Sequence, residues 1–92
     1  MDFEQTIRDI KKIFTIITDG KEADVHLLFK GTTHGVTKPW IIKIDSKEAV
    51  HETHEGAANE LLLKLKSELA KKIADLKAQV ISYEKSLGSF NN

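Results

Sequence analysis

The sequence predicts an α+β fold in which a helix, an antiparallel β-hairpin and a long C-terminal helix follow one another along a single domain, residues 1–92. Three observations support this fold. Apolar residues recur at helical spacing over residues 3–18, the period changes to two over residues 23–45, and residues 54–87 form a proline-free stretch rich in Ala, Leu, Lys and Glu. A third short strand over residues 46–53 would enlarge an otherwise small sheet, giving the order α-β-β-(β)-α.

The composition excludes several classes of protein. Because the chain has no Cys, it has no disulfide, thiol nucleophile or thiolate metal site. Its 13 Lys and single Arg, Arg8, disfavour sequence-specific DNA recognition, which usually relies on the bidentate guanidinium group. No apolar run approaches the ~20 residues of a membrane-spanning helix, and residues 1–10 do not resemble a signal peptide. We therefore expect a cytoplasmic protein without a membrane partner.

The first predicted helix covers residues 3–18. Its apolar residues recur at steps of three and four: Phe3, Ile7, Ile10, Phe14 and Ile17. We expect Asp2 to cap the first turn, with Gln5 at the capping-box position, and Gly20 to end the helix. Residues 13–18 are mostly β-branched and would suit a strand on propensity alone, but the longer stripe favours a helix.

Alternation of apolar and other residues predicts the hairpin, with residues 31–39 as its connection. Two rows of side chains should face the core, one from each strand: Val25, Leu27 and Phe29, and Trp40, Ile42 and Ile44. Leu28 and Ile41 are left on the outer face, where we expect them to be exposed. If the third strand forms, we expect Val50 to point inward.

The last helix is the most strongly predicted element. Thr53 is a suitable N-cap, and Gly88 is placed to end the helix so that Phe90 can fold back on it. One apolar stripe runs along it with heptad spacing from Leu69 onward: Leu62, Leu65, Leu69, Ile73, Leu76, Val80, Tyr83 and Leu87.

The lengths of the predicted helices and strands indicate how this stripe is covered. The helix should be about 45–50 Å long, whereas strands of this size cover about 20 Å. The part beyond Lys72 must be covered by the first helix of the same chain or by a second copy, and we favour a homodimer or larger homo-oligomer. The predicted interface is Leu69, Ile73, Leu76, Val80, Tyr83 and Leu87. Ile and Val at a positions with Leu at d positions suit a parallel coiled coil, but Lys72 would then face Lys77, so an antiparallel pair or a higher oligomer also stays open.

Two segments are candidates for binding a small ligand. In the loop after the first strand, Thr32, Thr33, His34 and Lys38 lie among glycines and could bind a small anionic ligand, although the loop lacks the P-loop ending and also suits a plain hairpin connection. His51 and His54, each followed by Glu, form the second candidate. Their spacing of three departs from the spacing of four in a zinc-binding helix, so no metal and no cofactor are predicted.

Catalysis is not predicted either. None of five serines lies in a nucleophile elbow: Ser46, Ser67, Ser82, Ser86 and Ser89. The predicted function is that of a small non-enzymatic binding, adaptor or inhibitor protein that acts as a homo-oligomer through its long C-terminal helix, with a host protein as a further candidate partner. A first alternative is a phage or mobile-element accessory protein that sequesters a nucleotide-type ligand. A second is a non-specific nucleic-acid-binding dimer that uses Lys64, Lys66, Lys71 and Lys72.

With the third strand, the element order resembles that of a double-stranded RNA-binding domain. In that family, lysines at the start of the last helix contact phosphates. Here the helix starts with His54, Glu55 and Gly56 and carries Glu60. The resemblance therefore implies the order of the elements and not the phosphate contacts, so nucleic acid is a disfavoured partner.

Overall fold

The computed structural model describes residues 2–31, 35 and 37–90. It contains five elements in chain order: α1 (Phe3–Ile17), β1 (Val25–Phe29), β2 (Trp40–Ile44), β3 (Lys47–His51) and α2 (His54–Phe90). The α+β order predicted from the sequence is confirmed, including the third strand. The molecule measures 70 × 24 × 23 Å. It is elongated because α2, with 37 residues, is about 55 Å long.

Helix α1 begins and ends close to its predicted limits. Asp2 is the N-cap and accepts a hydrogen bond from the Glu4 backbone N–H at 3.1 Å. The predicted capping box is wrong, because Gln5 Oε1 instead accepts a hydrogen bond from Arg8 Nη2 at 3.2 Å. At the other end, Asp19 and Gly20 adopt positive φ angles of 58° and 106°, which turns the chain away from the helix.

The three strands form one antiparallel sheet in the order β1-β2-β3. A two-residue turn, in which Asp45 has a φ of 55°, joins β2 to β3 and pairs Ile44 with Lys47. This register pairs Ala49 with Ile42 and Val50 with Ile41. Ala49 therefore faces the helices and Val50 the outer face, so the prediction of an inward Val50 is wrong.

Both helices lie on one face of the sheet, and the core fills the space between them. Helix α2 packs mainly over β2 and β3, whereas α1 packs mainly against α2. The largest fully buried side chains come from α1, β2 and α2: Ile10, Phe14, Ile42, Ile44, Leu61 and Leu65. Thr6 is the one polar residue among the buried ones in the described part of the chain.

Strand β1 contributes less to the core than predicted. Leu27 and Phe29 face the helices but are 39% and 52% exposed, because α2 does not extend over this edge and α1 meets β1 only weakly. On the outer face Leu28 is exposed as predicted. Ile41 is buried instead, since it sits on the central strand between Leu28 and Val50. The exposed apolar side chains of the sheet lie on its two edge strands, β1 and β3, and not on the central strand β2.

The two helices run parallel, starting at the same end of the molecule. Near their N-termini the ring of Phe3 packs edge-on against that of His54, with centroids 5.0 Å apart. At the other end of α1, the Lys72 ammonium donates to the Ile17 carbonyl oxygen at 2.8 Å and to Asp19 Oδ1 at 2.7 Å. Helix α1 therefore reaches Lys72 and no further. We call residues 2–72 the head and residues 73–90 the tail.

Helix α2 begins where the sequence predicts and ends later than predicted. The Gly56 backbone N–H donates to Thr53 Oγ1 at 2.9 Å, which confirms Thr53 as the N-cap. Gly56 has a steric role as well, because a Cβ there would overlap the imidazole of His51. The predicted end at Gly88 is wrong: the helix continues to Phe90, which does not fold back. A glycine inside a helix costs only about 1 kcal/mol relative to alanine, which does not force an end.

Candidate self-association surface

An apolar stripe runs the length of the tail and faces solvent. We call it the tail stripe, and it consists of Ile73, Leu76, Val80, Tyr83, Leu87 and Phe90, all of them exposed. Among the described residues, no side-chain hydrogen bond or ion pair joins the chain beyond Lys72 to the head. Helix α1 does not extend over the tail, so the alternative in which α1 covers this stripe within one chain is not the arrangement observed.

The tail stripe continues the buried face of the head. At about 100° per residue, its six side chains point within a sector of about 100° around the axis of α2. Leu62 and Leu65 of the head point into the same sector and are buried in the core with α1 and the sheet. The face is thus covered as far as α1 extends and open beyond it. Leu69, at the boundary, is partly buried.

Lys72 marks this boundary. Its ammonium binds the carbonyl end of α1, where the helix dipole favours a cation and where α1 has no basic residue of its own in its last turn. The Lys72 side chain is 25% exposed and Asp19 is its acidic partner. Lys72 therefore acts as a structural contact between the helices, so its charge is already matched within the chain.

One Lys and one Glu flank the tail stripe on the same side. Lys77 and Glu84 lie one heptad apart beside a shallow groove of about 420 Å³, whose remaining walls are apolar side chains of Ile73, Leu76, Val80 and Ile81. Neither Lys77 nor Glu84 has an opposite charge three or four residues away on α2. Both charges are therefore open to a partner along the groove.

The predicted ligand loop receives no geometric support. Thr32, Thr33 and His34 lie outside the described residues, and Lys38 is exposed. A second groove, of about 510 Å³, lies between α1 and the segment that precedes β1. Its charged walls balance one another, with Lys11 and Lys12 opposite Glu22 and Asp24, so the groove does not favour an anion or a cation.

The two histidines of the candidate metal site have other contacts. The His54 ring packs against Phe3 and also against Trp40, with centroids 5.4 Å apart in the second case. His51 Nδ1 accepts the Thr53 backbone N–H at 3.3 Å, and its Nε2 lies 3.8 Å from a Glu60 oxygen. Within residues 2–31, 35 and 37–90, no three potential metal-binding side chains come together. His54 belongs to an aromatic cluster that joins α1, β2 and α2.

Two of the four lysines proposed to bind nucleic acid are engaged within the chain. Lys64 donates to the Glu48 carbonyl oxygen at 3.0 Å, and Lys72 binds α1. Lys66 and Lys71 are exposed. Of these four lysines, one therefore contacts β3, one contacts α1 and two are exposed to solvent.

Comparisons of the chain with protein-family models, with curated proteins and with solved structures found no match. In the described part of the chain, neither helix is both long and apolar enough to cross a membrane. The candidate surface therefore rests on the geometry of this molecule alone.

Proposed function

We propose that this chain is a small non-enzymatic binding protein, an adaptor or inhibitor, that acts as a homo-oligomer assembled through its tail. One observation carries the proposal: the apolar face that the head buries continues uncovered along the tail. Natural monomers rarely expose a long continuous apolar surface, and such a surface usually marks an interaction site. The proposed function is non-enzymatic because none of the serines in the sequence lies in the setting of an activated nucleophile.

The size of the stripe is sufficient for a reversible dimer. A half-exposed large side chain that becomes buried stabilises a complex by about 1 kcal/mol, roughly half the value for a fully exposed one. Six from each of two copies contribute on the order of 12 kcal/mol. Association costs about 4–15 kcal/mol in lost freedom and ordering. We expect a dissociation constant between about 1 µM and 1 mM.

Light scattering after size exclusion tests the proposal directly. Each chain has a mass of 10.3 kDa, and we expect the measured mass to rise toward that of two chains as the protein is concentrated through that range. A double variant, Leu76→Ser with Val80→Ser, removes the centre of the tail stripe and should stay monomeric. The matched control is Leu63→Ser, which removes a similarly exposed side chain of α2 that lies outside the tail.

Circular dichroism of all three proteins establishes that the head is folded. The proposal is wrong if the wild-type chain keeps the mass of one chain up to about 1 mM, where a dimer held by this area should form. It is also wrong if Leu63→Ser and the double variant dissociate alike, since the stripe would then not be the contact.

A further inference from the structure

We infer that the tail pairs antiparallel with the tail of a second copy, in the register that places Ile73 against Phe90 of the other copy. This inference rests on the proposed function, because it names how the self-association surface is occupied. It follows from three features described above: the extent of α1, the length of the tail and the positions of Lys77 and Glu84.

The extent of α1 argues against a parallel pair. In a parallel pair both helices continue from the tail into their own heads, and each head packs α1 and the sheet on the face that would meet the partner. The two heads would then compete for the same space beside Lys72. In an antiparallel pair, the helix of the second copy ends near the level where α1 ends. Helix α1 and the partner's tail then lie end to end along one face of α2.

The length of the tail selects the register. Three kinds of layer are formed, each occurring twice by symmetry: Ile73 with Phe90, Leu76 with Leu87 and Val80 with Tyr83. Every member of the tail stripe is covered, and the overlap of about 27 Å begins just after Lys72. A shift by one heptad toward the head would set Leu87 against Leu69, at a level that α1 already occupies.

The flanking charges select the same register. In antiparallel helix pairs, the residues that follow the d positions face one another across the contact. In the proposed register Lys77 faces Glu84 of the second copy, and the symmetry repeats this pair on the opposite side. A shift of one heptad in either direction places Lys77 against Lys77 or Glu84 against Glu84. Only the middle register pairs opposite charges.

In a parallel pair, by contrast, Lys77 would face Lys72 of the second copy. The Lys72 ammonium is already bound to the Ile17 carbonyl and to Asp19, so it cannot turn away without losing those contacts. Charge and shape therefore favour the same antiparallel orientation.

The pair is a rod with a head at each end. One chain is 70 Å long, and two chains that share an overlap of about 27 Å span about 110 Å. The open edges of β1 lie in the heads and stay outside the tail contact. A parallel pair would keep roughly the length of one chain and carry both heads at the same end.

Single cysteines distinguish these arrangements, since the chain has no Cys of its own. Leu76→Cys and Leu87→Cys are prepared separately, then oxidised alone and as an equal mixture. In the proposed register a disulfide joins one variant to the other, so only the mixture gives a covalent dimer. In a pair of Leu76→Cys chains the two introduced thiols would lie about 16 Å apart, too far for a disulfide. A covalent dimer from Leu76→Cys alone would show parallel pairing and overturn the inference.

Charge exchange tests the register independently. Lys77→Glu places two Glu against each other on both sides of the antiparallel pair and should weaken association by roughly 3- to 30-fold. Adding Glu84→Lys restores the opposite pairs and should return the affinity to within about threefold of the wild type. In a parallel pair Lys77→Glu would face Lys72 and tighten association, which contradicts the inference.

The two proposals fail in different ways. A chain that never exceeds the mass of one copy in light scattering disproves self-association itself. A chain that reaches the mass of two copies, but whose Leu76→Cys variant cross-links alone or whose Lys77→Glu variant associates more tightly, disproves only the antiparallel register. Small-angle scattering of the dimer should give a maximum dimension of about 110 Å, and a value near the length of one chain would overturn the inference as well.

Discussion

The two halves of α2 carry the same apolar pattern and meet different surroundings. In the head half Leu65 is fully buried, whereas Leu76 in the tail half is 48% exposed. Both side chains point into the same sector of the helix, and the periodicity does not change between them. The difference lies in the elements alongside, because α1 and the sheet accompany α2 only as far as Lys72. An apolar stripe predicts that one face of a helix will be covered. The lengths of the neighbouring elements determine whether the same chain can cover it.

The comparison is tested most strongly by the same substitution in each half. Leu65→Ala should lower the free energy of unfolding by about 2–5 kcal/mol, because it leaves a cavity in the core. In dilute protein Leu76→Ala should change it by less than about 0.5 kcal/mol, since its side chain is half exposed in the single chain. Urea denaturation at a few µM measures both. Equal losses would mean that the tail stripe packs against the head.

The two glycines of α2 should respond in opposite directions. Gly56→Ala forces the His51 ring away and breaks its contact with the Thr53 N–H, so we expect a loss of about 1–2 kcal/mol. Gly88→Ala meets no neighbouring atom and should stabilise the tail helix by up to about 1 kcal/mol. Thermal unfolding reports the first change and hydrogen exchange of the last turns reports the second. A stabilising Gly56→Ala would contradict the proposed role of His51.

Substitutions of two adjacent lysines, Lys71 and Lys72, test the boundary between the two halves of α2. Lys72→Met keeps the aliphatic chain but removes the donor to Ile17 and the partner of Asp19. We expect a loss of about 1 kcal/mol, reduced from the usual value for a charged hydrogen bond because Asp19 is exposed. Lys71→Met, at an exposed position, serves as the control and should have no measurable effect. If both variants unfold alike in urea, Lys72 does not hold the end of α1.

The smallest expected effect is that of salt on self-association. Because the contact is mostly apolar, the dissociation constant should change less than about threefold between about 50 and 500 mM NaCl. Sedimentation equilibrium measures this change. A steep loss of binding would instead point to the lysines as the main attraction. Binding to nucleic acid, tested in parallel by gel shift, would show such a loss.

Most elements could be predicted because their signals are local. The caps at Asp2 and Thr53 and the changes of period define four of the five elements within a few residues. The wrong predictions concern the burial of side chains, which depends on parts of the chain that are distant in sequence. Leu27 and Phe29 alternate correctly but lie on an edge strand that α1 meets only weakly and α2 does not reach. Val50 faces outward because a two-residue turn sets the register of β3.

The candidate surface could be predicted in part. Five of the six predicted interface residues are exposed on the tail, and Leu69 is partly buried at its boundary. Phe90 is absent from the predicted interface because Gly88 was expected to end the helix. The role of Lys72 could not be predicted, since its partner at Ile17 lies 55 residues away in the chain and no local pattern indicates the contact. Element lengths alone predict that the sheet does not cover the stripe, whereas the alternative in which α1 covers it stays open without the structure.

The parallel arrangement of α1 and α2 affects how the chain folds during its synthesis. Ile10 and Phe14 of α1 are packed by residues of α2 that are made some 50 positions later, so the first helix leaves the ribosome long before its cover exists. Contacts between such distant segments slow folding and leave apolar surface open in the meantime. The tail, whose hydrogen bonds are all local, is made after the head, so docking of α1 requires only that residues up to Lys72 have emerged.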